Sequence, residues 1–245
     1  MPKVIVVGNQ KSGTSAVAAL LAGFARLSYQ QDIPAFWGDG FSRILNGSVS
    51  FSDAVKQNKR EFNRGLVKEP NFTFLTDQIR RHFPEAQIVF VVRNPEANLL
   101  SIAARLELTS QELSQNLFFN RGRMPDAWHN IFYDETLYGS GIRSATLIEA
   151  YAKRWSMAVD IYNRNSDCFH LIRYEDFASE KRESLNSLAS KLGLPFVDSK
   201  KIDTEKQFQP LGSKKPRLSV MQRSFLWSHC SGACETVGYR EYENE

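Results

Sequence analysis

The sequence predicts an α/β fold in which a parallel sheet is covered by helices on both faces. Three observations carry this. Val4 to Val7 is an unbroken β-branched run, and "IVFVV" from Ile88 to Val92 is a second apolar run. Such runs mark strands buried on both faces, where a half-exposed strand would alternate. Each run leads through a turn into a stretch with helical character. Buried strands that alternate with helices build a parallel sheet with crossover connections.

The elements follow in order. Ser15 to Ala25 is rich in Ala and Leu and predicts the first helix. Residues 28–50 are mixed, with "DIPAFWGDG" as a loop, and 52–64 is polar and helical. "GLVKEP" is a short strand ended by Pro70. Thr73 to Phe83 is amphipathic, and "PEAQ" turns the chain into the second apolar strand. Pro95 stands where a first-turn proline belongs, and "EANLLSIAARL" continues as a helix. Residues 107–143 are irregular and read as an insertion or cover. Phe118, Phe119, Trp128, Phe132, Tyr133 and Tyr138 alternate there with Arg121, Arg123, His129 and Asp134. Ala145 to Asn163 is a long helix and "CFHLIRY" a third strand. Lys181 to Leu192 is a helix closed by Gly193. "SKKPRLS" is a basic loop, and a last helix near 218–230 leads to the tail "GYREYENE". No repeat or linker divides the chain, so 1–245 reads as a single domain.

The 245 residues are enough to bury about 70% of the unfolded surface. Hydrophobic residues at 42% and charged residues at 24% are ordinary for a globular protein. A net charge of +4 is too mild for a nucleic-acid partner and suits a local basic pocket for a small polyanion. No stretch reaches the about 20 apolar residues of a membrane span. No leader precedes the first strand, and three cysteines fit a reducing compartment, so the expected location is cytoplasmic. Cys230 and Cys234, one helical turn apart beside His229, read as helix-packing residues and not as a metal site.

The chemistry concentrates in "GNQKSGTS", Gly8 to Ser15. Gly8 and Gly13 are five apart between a strand and a helix, as in phosphate-binding loops. The turn converges backbone N–H groups, and the helix start adds its dipole. Thr14 and Ser15 add hydroxyls. A triphosphate enzyme places lysine directly after the second glycine; here Thr14 holds that slot and Lys11 lies inside the loop. Such enzymes also use magnesium held by an acid at a neighbouring strand end. The neighbouring strand here ends in "FVVRNP", with Arg93 at that point. The site reads as built for an anion held by cations, hydroxyls and backbone, with no metal.

These residues resemble the sulfotransferases that use 3'-phosphoadenosine 5'-phosphosulfate (PAPS), a family with a P-loop NTPase-like three-layer fold. "QKSGTS" after a strand is similar to their 5'-phosphosulfate loop. "RNPEANLLS", with Arg93 and Ser101 eight apart, resembles their 3'-phosphate motif. "LIRYEDF" followed by a helix and "LGLPF" is similar to their third strand region, and "VGY" to their ending. The resemblance covers most of the chain and implies roles. Gln10, Lys11, Ser12, Gly13, Thr14 and Ser15 would hold the 5'-phosphosulfate, with Lys11 on the bridging oxygen where charge builds during transfer. Arg93 and Ser101 would hold the 3'-phosphate. The reaction implied is transfer of a sulfuryl group to a hydroxyl or amine, releasing adenosine 3',5'-bisphosphate. The acceptor would be a carbohydrate or small metabolite.

An acceptor hydroxyl needs a base. The family places His or Glu after the strand preceding the 3'-phosphate motif, and "LVKEP" offers Glu69 there, with Lys68 as a pairing partner. His82, His129 and Asp39 are further candidates. "RYEDF" reads as structural, with Asp176 capping the next helix and Tyr174 packed on it. Lys214, Lys215 and Arg217 in the basic loop could reach a phosphate. Two other functions compete: a magnesium-dependent P-loop kinase of a small molecule, and a nucleotide-binding module without turnover.

Overall fold

The computed structural model describes residues 1–116, 124–125, 128, 131–133, 137, 144–195 and 216–241. The expected cover at 107–143 lies mostly outside these residues, as do Lys214 and Lys215 of the basic loop.

Five parallel strands form one sheet. They are β1 (Val4–Gly8), β2 (Tyr29–Gln31), β3 (Leu66–Lys68), β4 (Gln87–Val92) and β5 (Phe169–Arg173), in the order β2-β3-β1-β4-β5. Val4 pairs with Leu66 on one side and Gln87 on the other, and Ile88 pairs with Phe169. The α/β expectation holds, and the two apolar runs are the central strands. β2 was not expected, because "YQQ" is short, polar and at the sheet edge, so it carries no apolar signal.

Side chains alternate between two cores, as the period of two in a strand requires. Ile5, Val7, Val67, Ile88, Phe90 and Val92 face one core; Val4, Val6, Leu66, Val89 and Val91 face the other. The second core is closed by α1 (Thr14–Phe24) and, later in the chain, by two more helices. The first core is closed by helices that lie between β2 and β4 and by others that follow β4. Between β2 and β3 lie a 3-10 turn, Pro34–Phe36, and helices α2 (Gly38–Leu45), α3 (Phe51–Gln57) and α4 (Lys59–Phe62). The single helix expected at 52–64 is therefore two. Asn58 breaks it by turning its side chain back to the Ala54 carbonyl at 2.8 Å.

After β3 come a 3-10 stretch, Pro70–Leu75, and α5 (Thr76–His82). β4 leads to α6 (Pro95–Arg105) and α7 (Ser110–Leu113). α8 (Leu147–Arg164) precedes β5. Then follow α9 (Tyr174–Ser179), α10 (Lys181–Lys191) and α11 (Val220–Thr236). α9 and α10 join α1 in the second core; α2 to α8 and α11 fill the first. Cys230 and Cys234 are buried free thiols on α11, inside the first core.

A ring cluster fixes the segment between β2 and α2. Phe36 meets Phe72 edge-on at 4.8 Å, and Phe62 stacks on Phe72 at 6.0 Å. The cluster holds Phe36 and hence its neighbour Trp37 against the turn that follows β3. α1 and α6 leave adjacent strands β1 and β4 toward opposite cores, and the crevice at such a divergence, beyond the carboxyl ends of the strands, is where ligands bind in open α/β sheets.

Candidate active site

The loop after β1 takes the shape that its glycines allow. Gly8 has φ 143° and Gly13 has φ 97°, both left-handed values that favour glycine. A Cβ on Gly8 would stand 2.2 Å from the Val91 carbonyl of β4. Lys11 also takes a positive φ of 64°, so the turn bends sharply at the lysine. Ser12 donates its hydroxyl to the Asn9 carbonyl at 2.7 Å, and Thr73 accepts the Gly8 N–H at 2.9 Å. α1 then begins at Thr14 with Gly13 as its cap, and no side chain bonds to that cap. The first N–H groups of a helix have no partner within the helix. The loop thus ends in an electropositive cradle.

This cradle opens on a cavity of about 780 Å³. Gln10, Lys11, Gly13, Thr14 and Ser15 line it from β1, Lys68 and Glu69 from β3, and Asp32 and Trp37 from the β2 side. Tyr174, at the end of β5, forms another wall. The far part is lined by Arg105, Leu106, Glu107, Leu108, Glu112, Met124, Pro125 and Trp128. So Lys11 and Glu69, expected from sequence to act together, share one cavity. Ser12, Arg93 and Ser101 are buried and are not among the residues of its wall.

Glu69 is only 1% exposed. Its Oε2 accepts the Ile33 N–H and the Trp37 indole N–H, both at 3.0 Å, and its Oε1 accepts the Asn71 N–H at 3.1 Å. Burial disfavours the charged carboxylate and pushes its pKa up to about 7. The two backbone bonds and Lys68 act in the opposite direction, and Asp32 adds to the rise. Lys68 is itself buried and paired with Asp32, so it does not neutralise Glu69 alone. Oε1 receives one donor where Oε2 receives two, which leaves Oε1 the oxygen better able to accept a further proton. A carboxylate near neutrality, on a cavity wall, has the properties of a general base.

Arg93 follows β4 as expected. Its Nη1 donates to the Lys11 carbonyl at 3.2 Å, and its guanidinium lies 4.7 Å over the Tyr174 ring. Its Nε is buried with no partner among the described residues. Arg93 therefore braces the loop from behind. Asn94 caps α6 by accepting the Ala97 N–H at 3.1 Å.

Several residues of the site escaped the sequence reading. Tyr174 is a wall of the cavity, and its ring lies against Gly13. Asp176 does not cap α10; it sits in the first turn of α9, 3.8 Å from Arg173, and α10 starts at Glu180 without a side-chain cap. A cap at Asp176 would have needed the helix to start there, but the chain turns into helix immediately after β5. Glu175 instead accepts the Asn94 N–H at 3.1 Å and the Tyr239 hydroxyl at 2.6 Å. Arg173 lies 4.5 Å over the Tyr239 ring. The "VGY" segment is thereby fastened to the start of α6. Trp37, expected in a loop, holds Glu69. Of the other candidate bases, Asp39 lies in the first turn of α2 and His82 ends α5 against Phe51, both away from the cavity wall. His129 is outside the described residues.

The Gln10 side chain faces partly into the protein. It donates to Asn71 Oδ1 at 2.9 Å and accepts from Arg154 at 3.1 Å. Its carbonyl accepts from Asn98 at 2.9 Å. A single amide or guanidinium within a helix or turn carries no sequence signature, which is why Asn71, Asn98 and Arg154 were missed.

Among the described residues no helix is long and apolar enough to cross a membrane. A search of curated proteins finds no match. Solved structures do resemble this one. A sulfotransferase from Alicyclobacillus acidocaldarius is 17% identical, with 97% of this chain and 94% of that one covered and a TM-score of 0.55. Sulfotransferase STF9 from Mycobacterium avium is 12% identical, covering 96% and 76%, with a TM-score of 0.56. The sulfotransferase domain of the Synechococcus PCC 7002 olefin synthase is 16% identical, covering 98% and 95%, at 0.50. These likenesses are of fold. The family description "Sulfotransferase family" matches residues 40–198, from α2 through Glu69, Arg93 and Tyr174 to the end of α10. That match spans more than half of the sequence, and the chain belongs to the sulfotransferase family.

Proposed function

We propose that this sulfotransferase moves a sulfuryl group from PAPS to a hydroxyl or amine of a small-molecule or carbohydrate acceptor. The observation that carries this reading is the sharing of one cavity by Lys11, the cradle at Gly13 to Ser15, and Glu69. A residue set of this kind fits a phosphosulfate. It offers helix-start N–H groups, two hydroxyls, a lysine and a buried arginine whose Nε lacks a partner among the described residues.

The donor supplies an activated sulfuryl group; transfer forms a bond from sulfur to the acceptor atom and breaks the bond from sulfur to the bridging oxygen. Lys11 stabilises the negative charge left on that oxygen. Glu69 takes the proton that the acceptor gives up, at Oε1, and Trp37 and Ile33 keep the carboxylate oriented through Oε2. Gln10, Ser12, Thr14 and Ser15, with Gly13, hold the 5'-phosphate. Arg93 and Ser101 are assigned the 3'-phosphate by the resemblance of "RNPEANLLS" to the family's motif, Arg93 also bracing the loop.

The test is incubation with labelled PAPS or labelled ATP and a panel of acceptors, with and without chelator. Transfer of label from PAPS, unaffected by chelator, is the expected result. Transfer from ATP that chelator abolishes would replace this reading by a kinase. Stabilisation by adenosine 3',5'-bisphosphate with no turnover toward any acceptor would leave only a binding module.

A further inference from the structure

α8 reaches the site from the far side of the first core, and three of its residues touch three separate strand ends. Tyr151 donates its hydroxyl to the Pro95 carbonyl at 2.9 Å and to Asn98 Oδ1 at 2.8 Å, and Asn98 in turn holds the Gln10 carbonyl. Trp155 donates its indole N–H to the Arg93 carbonyl at 3.0 Å. Arg154, between them and 1% exposed, donates from a single Nη2 to Gln10 Oε1 at 3.1 Å and to Asn71 Oδ1 at 3.0 Å.

Gln10 is the residue before Lys11. Asn71 is the residue whose N–H bonds Glu69, and its Nδ2 donates to the Phe36 carbonyl beside Trp37. One guanidinium therefore bridges the loop that carries the lysine and the turn that carries the carboxylate. We propose that Arg154 is a positioning residue for transfer, setting the separation of Lys11 and Glu69 by tying Gln10 to Asn71. This rests on the roles given to those two residues above.

Simple core filling is a poor account of this residue. Burying a guanidinium carries a large desolvation cost, and an apolar side chain of similar volume usually does as well or better. The site around it is apolar enough for that exchange, since the guanidinium lies 4.3 Å over the Phe74 ring. Its hydrogen bonds go instead to amide oxygens on the two segments that the reaction needs in register. A fixed fork of donors suits such bridging better than an ammonium.

The test uses a reporter that needs no donor or acceptor. Trp37 Nε1–H touches Glu69 Oε2, so its indole ¹H–¹⁵N resonance follows the ionisation of that carboxylate. The chain has four tryptophans, and Trp37→Phe assigns the peak. Lys68 and Asp32 are the charged groups acting on Glu69, and both stay in place. In Arg154→Met, Asn71 Oδ1 keeps the Gln10 amide but loses the guanidinium that ties both to α8; its bond to the ionised carboxylate weakens, and the Trp37 midpoint moves to higher pH. kcat falls on the order of 100-fold with KM for the donor nearly unchanged, as expected for lost alignment. Arg154→Lys gives the same changes in smaller measure.

If Arg154→Met does not fold, Arg154→Lys and Gln10→Met carry the test. Gln10→Met lowers kcat and leaves the Trp37 midpoint in place, because Asn71 keeps its bond to Arg154. An unmoved Trp37 midpoint in both Arg154 variants, with kcat unchanged and only the melting temperature lowered, would overturn the proposal. Absence of transfer by the wild-type protein would instead remove the proposed reaction, while the Trp37 midpoint still decides whether Arg154 holds the Glu69 turn.

Discussion

The ring of Tyr174 occupies the space that a side chain on Gly13 would need: a Cβ there would stand 2.1 Å from Cδ2 of Tyr174. The loop after β1 and the end of β5 are thus in direct contact, and the Arg93 guanidinium lies 4.7 Å over the same ring. Gly13→Ala would add a left-handed backbone conformation, at about 1–2 kcal/mol, to that overlap. The expected result is a melting temperature lower by at least about 2–4 °C, with loss of stabilisation by adenosine 3',5'-bisphosphate. A thermal-shift titration reads both, and a variant that keeps its nucleotide response would show that the cradle tolerates a side chain.

Lys11→Ala is expected to remove transfer and largely spare donor binding. Removing a group that stabilises transition-state charge lowers kcat on the order of 100- to 1,000-fold. A single-turnover assay with labelled PAPS gives the rate, and calorimetry with the bisphosphate gives the affinity. Equal losses in both would reassign Lys11 to ground-state binding.

Arg93→Ala is expected to weaken donor binding more than it lowers the rate at saturation, because the arginine holds the Lys11 carbonyl and faces the loop. A loss of affinity of about 10-fold or more corresponds to one charge-assisted contact. Unchanged affinity in a folded Arg93→Ala protein would refute its assignment to the 3'-phosphate.

With Glu69 as the proposed base, the rate should depend on pH. A base works ionised, so kcat/KM should rise through an acid limb near pH 7, where burial holds the carboxyl. Glu69→Gln should flatten that limb and lower kcat. It also leaves at least one of the three N–H donors facing an amide NH₂, which costs about 1–3 kcal/mol of stability. The same shift acts on folding. The folded state binds this proton more tightly than the unfolded chain, whose carboxyl titrates near 4.5. Stability from this group is therefore fully present below that value and is lost as pH rises toward about 7. Denaturant melts from pH 4 to 8 should show that decline in the wild type and not in Glu69→Gln.

The parts of the site that could be read in the sequence are those whose shape is set locally. Gly8, Gly13 and Lys11 lie within one turn, and the order strand, loop, helix explains their chemistry without any distant residue. Arg93 was legible for the same reason, since a strand end and a proline frame it. Glu69 was located by its strand, but its raised pKa comes from burial, and the Trp37 and Ile33 N–H groups that hold it arrive from a segment of mixed character. Arg154 could not be found: its partner Gln10 is 144 residues away, and nothing in "YAKRWSM" separates a buried arginine from a solvated one. Tyr174 was visible and read as a packing residue; it also lines the cavity. Its place directly after a parallel strand, at the ligand-binding end of the sheet, was the signal.

The contact of Tyr239 with Glu175 has a consequence for the order of assembly during synthesis. The anion cradle is encoded in the first 15 residues, yet the carboxylate that steadies the start of α6 receives its hydroxyl only from residue 239. Domains begin to fold as they leave the ribosome, and here most of the sheet can form while that hydroxyl is still untranslated. The nascent chain therefore carries a formed loop over an unfastened strand end until residue 239 has been made, and a ribosome stalled just before it would display a fold with that end of the sheet still loose.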